Sequence, residues 1–261
     1  MINGVGEHAR ARLATAETRV FEDAEMLARY AAEWLCARAL ASDRAFAVCL
    51  SGGSTPRPVY GVLAEPAIAS RFPWRRVHWF WGDEGFVPPD HPDSNYRMVR
   101  DELLLRVPVP EDNIHAIPTS GLSPEEAAAA YEATLKGFYQ ADTINADRPL
   151  FDVTFLGIGE DGHTASLFPG HPTLDVKDRW VVAIADTRPE IRITLTYPVL
   201  ESSRDAVFLV TGEGKREPAA RARAGDWAMP AGRIRPVGRL YWFLDRFAAG
   251  PMVRRSQDHV P

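Results

Sequence analysis

The sequence predicts an α/β protein: one mostly parallel, twisted sheet with helices on both faces, in a single domain. Three observations lead there. Short runs that are apolar at nearly every position, such as 45–50, 77–81 and 150–156, alternate with longer stretches of helical periodicity. Strands buried on both faces lose the in-out alternation of a one-sided sheet, so such runs belong to a parallel sheet covered twice. No Ser/Gly linker, charge block or internal repeat divides the chain, and 261 residues with 46% hydrophobic content can build one sizeable core.

Residues 1–20 lack periodicity and read as a loose arm, with the α/β domain over 21–261. From 23 to 41, Met26, Leu27, Tyr30, Trp34, Leu35 and Ala39 recur at helical spacing. The run 45–50 is a strand ending in SGGSTP, and Pro56 suits the first position of a helix carrying Val59, Tyr60 and Leu63. Residues 77–84 read as a buried strand entering a loop. A capping Ser94 opens a helix over 94–104. NIHAIP is a short strand, and Ser123, Pro124 and Glu125 open a strong helix over 123–139. Residues 150–159 form the clearest buried strand. WVVAIAD, RITLT and DAVFLVTG follow as strands, GKREPAARARA starts a helix, RLYWFLD is a late strand, and Asp245 caps a last short helix.

Composition excludes several function classes. The formal net charge is -5, which argues against a nucleic-acid partner. No run reaches the roughly 18 apolar residues of a membrane span, and residues 1–20 hold no apolar segment of the signal-peptide kind. Cys36 and Cys49 fall in core patterns and make no framework, which fits a reducing, cytoplasmic setting. No histidine pair has metal-ligand spacing, so no metal is expected.

Ligands of open parallel sheets bind beyond the C-terminal ends of the strands, so the loops there are the candidate site. In Ser51-Gly52-Gly53-Ser54-Thr55-Pro56, glycines let backbone N–H groups approach an anion, and the two hydroxyls add donors. A plain strand-to-helix turn would use the same residues. The loop lacks the spacing of a P-loop or a nucleophile elbow. Gly157-Ile158-Gly159-Glu160-Asp161-Gly162 matches G-x-G-x-x-G, but Pro169-Gly170 cuts off the long helix that a dinucleotide fingerprint must open. The loop instead offers His163, an imidazole suited to proton transfer near neutral pH, with Asp161 placed to influence its tautomer. A capping histidine is the alternative there. Asp83 and Glu84 follow a buried strand, where both could face a cleft or be solvated. Only three of the 30 basic residues are lysines, and Lys215 stands in a glycine turn at a helix start. A cation is unfavourable there unless an anion joins it.

Together these loops, in this order, resemble the 6-phosphogluconolactonases. The matching stretches are LSGGSTP, WGDE with VP and SN beyond it, FDVTFLGIGEDGHTASLFPG, RITLTYPVL and TGEGK, within about 21–249. The resemblance implies the sheet architecture shared with glucosamine-6-phosphate deaminases/isomerases. It implies hydrolysis of 6-phosphogluconolactone to 6-phosphogluconate in the oxidative pentose phosphate pathway, without cofactor. The partner would be that small phosphorylated sugar lactone, and the chain a monomer or weak homo-oligomer. His163 would activate water and Asp161 would hold it. Gly52, Gly53, Ser54, Thr55 and Lys215 would bind the phosphate, with Arg192, Asp83 and Glu84 also at the substrate. The family pattern continues Asp-Glu-Arg, whereas Gly85 follows Glu84 here, so either another arginine such as Arg192 or Arg57 supplies that cation or substrate affinity is lower. An amino-sugar-phosphate isomerase/deaminase ranks second, because Leu167-Phe168-Pro169 stand where those enzymes carry a carboxylate. A non-catalytic sugar-phosphate sensor ranks third, since the arm is too short for a helix-turn-helix.

Overall fold

The computed structural model describes residues 16–250. In chain order its first elements are β1 (Glu17–Phe21), α1 (Ala24–Leu40), β2 (Phe46–Leu50), α2 (Arg57–Leu63), α3 (Pro66–Ala69), β3 (Val77–Trp81), β4 (Asp83–Gly85) and α4 (Asn95–Val99). Next come β5 (Ile114–His115), α5 (Pro124–Tyr139), β6 (Phe151–Leu156), β7 (Val181–Ile184), β8 (Arg192–Leu195) and α6 (Tyr197–Glu201). The last are β9 (Ser203–Val210), α7 (Arg216–Arg223), β10 (Arg239–Asp245) and α8 (Arg246–Ala249).

The main sheet has seven strands in the order β1-β10-β9-β6-β2-β3-β5, and every neighbouring pair is parallel. All of β2 and β6 is buried, as their unbroken apolar runs require. Both faces are covered. Phe138 of α5 lies on Phe80, while Trp79, one residue earlier and so on the other face, packs against Phe72 and Trp74. Towards the far edge, Trp34 of α1 meets Tyr241 and Phe243, and Trp242 stacks on Phe208 at 4.0 Å.

Caps follow the sequence signals. The Asp23, Ser94, Ser123 and Asp245 side chains accept the backbone N–H groups of Met26, Arg97, Glu126 and Ala248, and Ser123 with Glu126 completes a capping box.

Four expectations are corrected. Residues 17–20 do not belong to a loose arm: they lie in edge strand β1, while residues 1–15 lie outside the described residues. β1 is exposed along most of its length and is held by backbone pairing to β10, so it leaves no apolar period to read. WVVAIAD and RITLT do not extend the parallel sheet. Their strands β7 and β8 pair antiparallel in a second sheet, order β4-β8-β7, which α5 also packs against. The predicted GDEG loop is strand β4 of that sheet. The helix from Ser94 is α-helical only to Val99 and continues as a π-helical turn over Arg100–Leu104.

Gly82 joins the two sheets. Its N–H donates to the Leu50 carbonyl, and its carbonyl accepts from the Leu195 N–H. The second sheet therefore stands at the C-terminal ends of β2 and β3.

Candidate active site

The main sheet reverses its direction of growth between β2 and β6. From β2 the chain moves outward through β3 to β5, then returns to β6 on the other side of β2. The loops after these two strands diverge and leave a crevice between them. A cavity of about 390 Å³ opens there, lined from β2, β4, the β6 loop, the β7–β8 loop and the start of α7.

Buried tyrosines fix its floor. The Tyr60 hydroxyl accepts the Ser51 N–H and donates to the Ser51 carbonyl at 2.7 Å. Tyr131 does the same for Trp81 at the end of β3. Backbone groups that leave a sheet inside the protein need partners, and each hydroxyl serves two. Beyond Ser51 the chain passes close to Asn95: a Cβ on Gly52 would lie 1.9 Å from Asn95 Oδ1. Gly53 takes φ +98°, the left-handed region that glycine occupies freely. Among the described residues, the N–H groups of Gly52, Gly53, Ser54 and Thr55 make no hydrogen bond, and all four residues line the cavity. Helix α2 has only seven residues, so the loop's amides and hydroxyls, rather than a helix dipole, make the cradle. Thr55 Oγ1 lies 2.9 Å from Thr211 Oγ1, which ties this loop to the turn bearing Lys215. The Asp245 carboxylate holds that turn by accepting the Gly212 N–H. Lys215 lines the cavity and forms no ion pair among the described residues.

The acidic pair splits. Asp83 faces the cavity, 2.5 Å from Arg192 Nη2, and accepts the Ser166 hydroxyl at 2.7 Å. Arg192 Nε in turn donates to Ser166 Oγ. Burial lowers the Arg192 pKa, but Asp83, with Glu84 and Glu190, outweighs it and holds the guanidinium charged. Glu84, one residue on in the strand, does not reach the substrate site expected for it. It is 1% exposed and accepts from the N–H groups of Gly85, Asn95 and Tyr96 and from Ser94 Oγ. Its task is to seat the start of α4. Burial pushes this carboxyl up to about 7, against the pull of the Tyr96 and Asn95 amides.

His163 lines the cavity. Its Nδ1 lies 2.5 Å from Asp161 Oδ1, and Asp161 also accepts the His163 N–H. Burial would raise the Asp161 carboxyl, but those two bonds, with Arg188, hold it below the usual range. With the proton on Nδ1 directed at Asp161, Nε2 carries the lone pair. Nε2 makes no hydrogen bond among the described residues. The imidazole edge sits on Gly159, where a Cβ would fall 2.0 Å from Nδ1. The other side packs on Phe168, with ring centroids 5.0 Å apart.

Sequence reasoning thus brings Gly52, Gly53, Ser54, Thr55, Asp83, His163, Arg192 and Lys215 to one cavity, with Asp161 behind His163. Arg57 is engaged elsewhere, with Glu102 at 2.7 Å. Arg188, Ser166, Asn95 and Glu190 line the cavity and were missed. Asn95 and Ser166 lie inside the SN and GEDGHTASLFPG stretches and were passed over there, whereas Arg188 and Glu190 stand in a segment without a motif and only the folding of the second sheet carries them inward. Gly85 pairs with Arg192 in register, and a Cβ there would lie 3.2 Å from Arg192 Nη1. Its φ is not left-handed, so the backbone does not demand glycine. No group of three or more His, Cys, Asp or Glu is placed to hold a metal among the described residues. No helix among them is long and apolar enough to cross a membrane.

Residues 22–242 match the family described as glucosamine-6-phosphate isomerases/6-phosphogluconolactonase. The chain belongs to this glucosamine-6-phosphate isomerase/6-phosphogluconolactonase family. Within it, the chain is 42% identical over 210 residues to a 6-phosphogluconolactonase of Nostoc, covering 79% of this chain and 85% of that one. A Synechocystis 6-phosphogluconolactonase is 42% identical over 214 residues, covering 81% and 86%. Among solved structures, the Thermotoga maritima 6-phosphogluconolactonase superposes with a TM-score of 0.74 at 30% identity. That match covers 88% of this chain and 99% of the other.

Proposed function

We propose that this protein hydrolyses 6-phosphogluconolactone to 6-phosphogluconate, a step of the oxidative pentose phosphate pathway. The observation that carries the reading is a histidine with its Nδ1 on an aspartate and its Nε2 free, set in the same cavity as an anion cradle. The Gly52–Thr55 amides, the Ser54 and Thr55 hydroxyls and Lys215 hold the phosphate. His163 Nε2 takes a proton from water as its oxygen attacks the lactone carbonyl carbon. The carbonyl electron pair moves onto oxygen. When it returns, the ring C–O bond breaks and the departing oxygen takes the proton from His163. The resulting acid then ionises. Asp161 keeps the imidazole in its working tautomer and steadies the imidazolium. A δ-lactone is an activated ester, so general-base help of about 10²–10⁴-fold and a few donors suffice.

The test supplies freshly made 6-phosphogluconolactone and follows 6-phosphogluconate through a coupled dehydrogenase, above the spontaneous rate. Glucosamine 6-phosphate is run beside it. Turnover of the lactone alone is expected. Turnover of the amino sugar alone would move the protein to the deaminase branch.

A further inference from the structure

Among the described residues three cations line the cavity, Arg188, Arg192 and Lys215, and two have evident occupations. Arg192 is tied to Asp83, Ser166 and Glu190 and keeps only 14% of its side chain exposed. Its charge is already answered by two carboxylates. Lys215 stands over the turn fastened to the glycine loop. Arg188 is left. Its side chain is 43% exposed, and its closest carboxylate oxygen, on Asp161, is 3.8 Å away. Its Nη2 lies 3.4 Å from His163 Nδ1. Because Nδ1 directs its proton to Asp161, this approach is a placement beside the ring and not a hydrogen bond to it. The guanidinium lies 5.1 Å over the Phe168 ring, which also packs the imidazole. One aromatic ring therefore sets both the base and the cation, and among the described residues most of the cation's donors remain open.

The substrate carries negative charge at two places and at different times. The phosphate is charged throughout. The lactone carbonyl oxygen becomes charged only after water adds, and the product then keeps a carboxylate there. The reacting carbon must lie within one water of His163, so the cation beside His163 meets this second charge and not the first. On the reading given above for the reaction, we propose that Arg188 is a catalytic residue. Its guanidinium takes the oxyanion that forms on the lactone carbonyl and then holds the product carboxylate.

An interaction made only after water adds lowers kcat when removed and leaves substrate affinity alone. Loss of one preorganised oxyanion donor typically costs about 10²–10³-fold, and the exposure of Arg188 places it toward or below the low end. Arg188→Ala is therefore expected to lower kcat about 10- to 100-fold with KM for the lactone within about twofold. Added guanidinium ion should restore part of the rate to Arg188→Ala and none to His163→Ala. By calorimetry, Arg188→Ala should bind 6-phosphogluconate at least about fivefold more weakly, with unchanged affinity for inorganic phosphate. A melting curve checks that the variant is folded. A variant with unchanged kcat, or one whose KM rises at constant kcat, overturns the proposal, as does equal weakening of product and phosphate binding. Absence of lactone turnover in the unmodified protein would instead overturn the reaction itself.

Discussion

Gly159→Ala isolates the positioning of the base without touching its chemistry. A Cβ at 159 would lie 2.0 Å from His163 Nδ1, 2.1 Å from Cε1 and 2.5 Å from Asp161 Oδ1. Contacts of that length do not occur, so something must move. The backbone of Gly159 accepts the change, because its φ is not left-handed. Its N–H donates to the His163 carbonyl at 2.9 Å, which fixes the loop against the ring. The imidazole is the part able to give, by rotating off its rotamer and away from Asp161. That separates Nδ1 from its acceptor and turns Nε2 out of line with the attacking water. The loss should approach that of His163→Ala, about 10²–10⁴-fold in kcat. Phosphate contacts are remote from the change, so KM should stay within about twofold. The site is a loop at the cavity edge, so melting should shift by no more than a few degrees, about 1 kcal/mol. Steady-state kinetics on the lactone, with a melting curve alongside, makes the measurement. A Gly159→Ala protein with kcat within threefold of the parent would refute the close seating of His163 on this glycine.

Four further outcomes follow from the same geometry. Lys215→Met should lower kcat/KM on the phosphorylated lactone by roughly tenfold to a hundredfold, the loss of one charge-assisted contact of about 1.5–3 kcal/mol. Unphosphorylated gluconolactone should remain an equally poor substrate for both proteins. Gly85→Arg should keep kcat and lower KM about threefold, because Glu190, whose Cγ lies 3.6 Å from the new Cβ, offsets the crowding against Arg192. A raised KM would show that Arg192 cannot yield. Exhaustive chelation should leave turnover unchanged, and loss restored by one divalent ion would reveal a metal requirement. Burial, with His78 beside it, pushes His115 down to about 4. Between about pH 6.5 and that value the unfolded chain binds a proton that the folded chain refuses, so stability from this group falls as pH falls. Glu84, raised to about 7, acts in the opposite direction and loses stability as pH rises through that window. Melting curves of the parent and His115→Phe across pH 4.5–7 separate the two: the parent should lose more on acidification than the variant does.

Much of this protein is determined locally and was legible in its residues. Unbroken apolar runs mark strands buried on both faces, and caps such as Ser123 with Glu126 mark helix starts, because each depends on neighbours within a few positions. The loops at the strand ends could be named for the same reason: glycines at 52, 53, 157 and 159 and a lone lysine at 215 are visible without any fold. Pairing between distant strands left no such mark. Edge strand β1 shows no period because it buries little, and β7, VVAI, is as apolar as the parallel strands although it runs antiparallel in another sheet. Asp83 and Glu84 are adjacent carboxylates, and only the alternation of β4 sends one to the cavity and the other under α4. Arg192 became a buried partner of Asp83, and Arg188 came to stand beside His163, through a register that joins residues more than a hundred positions apart or folds a featureless loop inward. Sequence alone determines which groups are available for this chemistry. Their distances, and with them which charge is already spent and which is free, exist only once the two sheets have docked.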